Sequence, residues 1–106
     1  MPKYLVQGSY TLDGVKGILK DGGSKRRAAA QQAIQSVGGK LEAIYFTFGE
    51  NDVLAIVDLP DNASAAAASL TIGASGALRI HTTVLLTPEE IDQASKKSVT
   101  YTPPGR

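Results

Sequence analysis

Residues 40–59 read KLEAIYFTFGENDVLAIVDL, and this stretch decides the fold. Two runs rich in aromatic and aliphatic residues, 40–48 and 52–59, are separated only by Gly49, Glu50 and Asn51. Such residues suit a pleated, half-buried surface, and a connection this short joins antiparallel neighbours. The stretch is therefore a β-hairpin, closed by Pro60, which cannot donate to a sheet ladder.

Working outward from the hairpin, the flanks repeat one pattern on either side. Upstream, residues 4–10 (YLVQGSY) read as a strand, and Thr11 caps a helix that starts near Leu12. Gly22-Gly23 weaken that helix, and Ser24 offers a second cap, so it is either one kinked helix or two pieces. Ala29, Ala30, Ala33, Ile34 and Val37 keep helical spacing until Gly38-Gly39 stop it. Downstream, Asp61 caps an alanine-rich helix over 63–72, and residues 77–86 (ALRIHTTVLL) form a fourth strand. Thr87-Pro88-Glu89-Glu90 is a capping box with proline at the first helical position, opening a last helix that runs to about Lys97.

The order β-α-β-β-α-β with an added terminal helix predicts an α+β, ferredoxin-like fold. Its four-stranded antiparallel sheet has strand order 4-1-3-2, with both crossover helices on one face. Residues 1–97 are read as one domain and 98–106 as an extended tail. The length of 106 residues allows a single modest core. A net charge of +1 argues against nucleic acid as a partner, and no apolar run is long enough for a membrane span. Cysteine is absent, which excludes disulfides and thiolate chemistry, and no signal peptide is evident. The expected compartment is cytoplasmic.

Two helices cover one side of such a sheet, so the other side is informative. Alternation along each strand places Leu5, Gln7 and Ser9 of the first strand, and Arg79, His81 and Thr83 of the fourth, on the uncovered face. If the hairpin pairs Phe48 with Asp52, then Ile44, Phe46 and Phe48 join Leu54 and Ile56 there. The face then has an aliphatic and aromatic zone beside a polar one. Covering even ~600 Å² of apolar surface against a second copy would contribute on the order of 15 kcal/mol before association entropy is subtracted. Self-association is the expected outcome.

The segment YFTFGENDVLAIVDLP, the alanine-rich helix and strand after it, and LLTPEEID resemble the GYD domain family over nearly the whole chain, from Tyr4 to about Ala94. Gly49 and Asp52 match the signature that names the family, whereas Asn51 stands where tyrosine is expected, so no role of that phenol carries over. The resemblance implies membership of the dimeric α/β-barrel superfamily, hence a homodimer or higher homo-oligomer. It implies no settled activity. Superfamily relatives range from cofactor-free monooxygenases and lactone isomerases to haem enzymes and ligand-sensing domains.

Three readings of function stay open. The first is a ligand-binding or sensing module with a small, partly apolar molecule in a cleft on the open face. Leu5, Phe46 and Ile56 would wall that cleft, and Gln7, Asp52, Arg79 and His81 would orient polar groups. The second is a cofactor-independent oxygenase or isomerase with His81, the single histidine, as general base. The third is a structural assembly protein without a ligand. His81 could equally bond across an interface, and Asp52 could simply accept turn N–H groups. Lys25, Arg26 and Arg27 would suit an anion if a helix starts after Ser24, and are otherwise a solvated surface. No cofactor and no metal is expected, because no nucleophile elbow, zinc spacing or carboxylate pair is present.

Overall fold

Three side chains start the three helices where the sequence places them. In the computed structural model, which describes residues 1–106, Thr11 accepts from the Gly14 N–H and opens α1 (Leu12–Ser36). Asp61 accepts from the Ser64 N–H and opens α2 (Asn62–Ala74). Thr87 and Glu90 form the reciprocal capping box of α3 (Pro88–Ser95). The Ser64 N–H holds the Asp61 carboxyl below its ordinary range. Each cap satisfies a donor that the first helical turn leaves free.

The strands are β1 (Lys3–Tyr10), β2 (Lys40–Phe46), β3 (Val53–Asp58) and β4 (Leu78–Leu85). They form one antiparallel sheet in the order β2-β3-β1-β4, which is the expected ferredoxin-like order read from the other edge. Tyr4, Ala55, Val57 and Leu59 turn inward and meet Ile34 of α1 and Ala65 of α2 in the core, and Val53 is buried on the same side of the sheet. The open question about α1 resolves as two helical pieces meeting at a kink. Gly22 sits at φ 79° and ψ 173°, a left-sided conformation that glycine adopts without a Cβ penalty. The second half of the helix therefore begins at Gly23.

The expected pairing of Phe48 with Asp52 is not found. The Thr47 N–H donates to the Asp52 carbonyl at 2.8 Å, and the ladder continues with Phe46 opposite Val53 and Ile44 opposite Ala55. The loop is thus Phe48–Gly49–Glu50–Asn51, one residue longer than the sequence reading assumed. A one-residue slip turns every side chain of a strand to the other face. Ile44 and Phe46 accordingly face the helices, with Phe46 against Gly23 of α1, and Phe48 stands free in the loop. Tyr45 takes the place beside Leu54 on the open face. A β-bulge between Leu41 and Ala43 inserts Glu42 and returns the start of β2 to its original phase.

The C-terminal arm leaves the body of the fold. Every residue from Leu86 to Thr102 is exposed, and α3 buries none of its side chains. The radius of gyration is 16.9 Å, against roughly 13 Å for a compact chain of this length. No helix is long and apolar enough to cross a membrane.

Candidate functional site

The open face of the sheet is organised by the register of β1 with its two neighbours. Leu5 lies between Ile56 and Thr83, Gln7 between Leu54 and His81, and Ser9 beside Arg79. Paired positions on adjacent strands bring side chains within contact distance, so the β1–β4 pairs set the polar groups side by side. The hairpin loop then closes over this end. Ser9 donates from its hydroxyl to the Glu50 carbonyl at 3.0 Å, and Thr47 donates to the Asn51 carbonyl at 2.6 Å. The result is a polar recess of ≈ 490 Å³ lined by Gln7, Ser9, Glu50, Asn51, Arg79 and His81.

The recess offers both signs of charge. Arg79 supplies a planar fork of donors, Glu50 a carboxylate, and Gln7, Asn51 and His81 can each donate or accept. His81 has no side-chain hydrogen-bond partner that would fix its tautomer and aim it as a base. The arrangement can therefore hold an oxygen-bearing group from several sides, but it carries no oriented acid–base pair.

At the far end of the same face, Lys3 bridges Glu42 and Asp58, each at 2.8 Å. The Asp58 hydrogen bond, followed by that of Glu42, holds the Lys3 ammonium above its ordinary range. Between the two polar ends lie Leu5, Leu54, Ile56 and the exposed Tyr45 ring.

The sequence-derived site residues divide accordingly. Gln7, Arg79 and His81 come together in the recess, and Leu5 and Ile56 are neighbours on the adjoining apolar strip. Phe46 is not on this face, for the register reason given above. Asp52 is occupied with the backbone: its N–H donates to the Gly8 carbonyl at 2.8 Å, and its carboxylate accepts from the Tyr10 N–H at 2.9 Å. It completes the β1–β3 ladder and does not line the recess. The cluster Lys25, Arg26 and Arg27 is split by the helical turn. Arg26 points inward beside Tyr10, while Lys25 and Arg27 are exposed. Glu50 as a recess residue escaped the sequence reading, because its position depends on the loop folding back over β1.

The chain matches the model of the GYD domain over residues 4–95. No curated protein and no solved structure gives a significant match. The matched span runs from inside β1 to the last residue of α3 and includes every element that builds the recess. The chain belongs to the GYD domain family.

Proposed function

We propose that the chain works as a homodimeric ligand-binding or sensing module, with the polar recess closed by a second copy lying sheet on sheet. The observation that carries this reading is the surface left uncovered. The chain exposes 7613 Å², whereas a folded monomer of 11.1 kDa exposes roughly 5,700 Å². The excess of roughly 1,900 Å² exceeds the ~800 Å² that each partner buries in a standard interface. Only nine of 106 residues are buried, which is a thin core for a self-sufficient domain of this length.

Two regions offer apolar surface that a second copy would cover. One is the strip where Leu5, Leu54 and Ile56 lie half-buried beside the exposed Tyr45; the other is the arm after Leu85, with Ile91, Val99 and Tyr101 exposed. A twin packed on the strip removes it from water and turns the adjacent recess into a cleft. The arm is long enough to lie along that twin. Inside the cleft, Arg79, His81 and Gln7 orient a small oxygen-bearing molecule while Leu5 and Ile56 contact its apolar part. The unpartnered state of His81 favours binding over the oxygenase or isomerase reading.

Sedimentation at micromolar concentration, combined with native mass spectrometry, tests this. The expected species has twice the chain mass and retains a small molecule that the double variant Arg79→Gln/His81→Gln loses. A stable monomer would overturn the reading. A dimer without any cavity between its sheets would leave only the assembly role.

A further inference from the structure

On the opposite side of the sheet, beneath α1 and α2, lies an apolar cavity of ≈ 140 Å³. It exists because its helical wall is built from small side chains. The second half of α1 presents Ala29, Ala30 and Ala33, which do not fill the space over the strand residues Val6, Ala55 and Ile80. A second void of ≈ 70 Å³ adjoins it and shares Val6, Ala30, Ala55, Ile72 and Ile80. Folded interiors hold few voids larger than a water molecule. A dry apolar cavity of roughly 150 Å³ takes up benzene.

Two polar side chains stand at this cavity, Tyr10 and Arg26, and no carboxylate lines it. The ion pairs of the chain both belong to Lys3, so the half-buried Arg26 guanidinium has no carboxylate of its own. Asp52, whose charge acts on Tyr10, is itself engaged by the Tyr10 backbone N–H. Burial is the chief cause that pushes the Tyr10 phenol above its ordinary value, against an opposing effect of the neighbouring Arg26, so the phenol stands at a desolvated edge beside the guanidinium. An unpaired cation at the rim of an apolar hole selects one kind of occupant: a compact apolar body carrying a single anionic group.

We propose that the cavity between the helices and the sheet is a second binding site, taking a small ring-sized or branched monocarboxylate whose carboxylate meets Arg26. The body of the ligand fills the space over Ala30 and Ala33, and the Tyr10 hydroxyl donates to the second carboxylate oxygen. The site is separate from the polar recess and does not depend on it.

The test uses the full chain with methyl-labelled alanine and isoleucine, titrated with benzoate, benzyl alcohol and benzene while methyl spectra are recorded. Benzoate should shift the methyls of Ala30, Ala33, Ile72 and Ile80 and bind at least tenfold more tightly than benzyl alcohol. Arg26→Gln should weaken benzoate at least tenfold and leave benzene unchanged. Ala33→Leu should abolish all three. Should the filled variant fail to fold, the benzoate-to-benzene comparison in Arg26→Gln still decides. Benzoate shifts confined to surface residues, an unchanged benzoate affinity in Arg26→Gln, or binding of benzene alone would each overturn the proposal.

Discussion

The hydroxyl of Tyr4 donates to the side-chain oxygen of Asn62 across 2.5 Å, tying the first strand to the first turn of α2. The Tyr4 ring is 1% exposed, so this bond sits at the end of a fully buried side chain and fixes where α2 begins to cross the sheet. Tyr4→Phe keeps the ring and removes only the bond. The expected cost is about 1 kcal/mol, with Tm lower by roughly 4–8 °C. Tyr4→Ala removes the ring as well, for about 3–5 kcal/mol. Thermal and urea unfolding of both variants measure the difference.

Two glycines should respond in opposite directions. A Cβ on Gly39 would lie 2.5 Å from the Asp58 carbonyl oxygen and 2.6 Å from Leu59, both at the crowded junction of α1 with the hairpin. Gly39→Ala should therefore destabilise by about 1–3 kcal/mol. Gly17 lies within the first half of α1 with open space around it. Gly17→Ala should stabilise by about 0.5–1 kcal/mol, since alanine gives up less backbone freedom in a helix. Denaturant midpoints report both signs.

Alkaline pH should loosen the fold through two groups. Burial pushes the Tyr10 phenol up, and hydrogen bonds to Asp58 and Glu42 push the Lys3 ammonium up. A group whose value is raised on folding contributes stability below its unfolded value and loses it as pH climbs through the folded one. The denaturant midpoint should hold steady near neutrality and fall above the ordinary tyrosine and lysine range. Tyr10→Phe and Lys3→Met should each flatten part of that fall.

Ile56 is central to the apolar strip but faces away from the core, between Leu5 and Ala43. Ile56→Glu should leave the circular-dichroism spectrum intact and weaken self-association tenfold or more, equivalent to about 1.4 kcal/mol or above. Sedimentation across a concentration series reads this directly. Unchanged association would remove the strip from the interface.

Local chemistry and the order of the strands were legible in the sequence, and the register of the hairpin was not. Thr11, Asp61 and Thr87 could be read as caps because a cap is decided by its own next three residues. The inward set Val53, Ala55, Val57 and Leu59 was equally plain, being apolar at every second position. Phe46 and Ile44 were misplaced because their facing depends on the loop length and on the Glu42 bulge, and both are properties of two strands together. Gln7, Arg79 and His81 were placed correctly on one face, since β1 and β4 are regular. Arg26 could not be told from Lys25 and Arg27 without the helix phase that the Gly22 kink sets.

The kink at Gly22 also separates two jobs along one helix. The half before it is anchored at its start, where the Thr11 N–H donates to the Ala77 carbonyl at 3.0 Å and its hydroxyl to the Gly76 carbonyl at 2.7 Å. The half after it carries the alanines that roof the cavity. Because the break falls between anchor and roof, the direction of the roof is dictated by its own far end, where Ile34 is locked among the strands, and not by the turn that starts the helix.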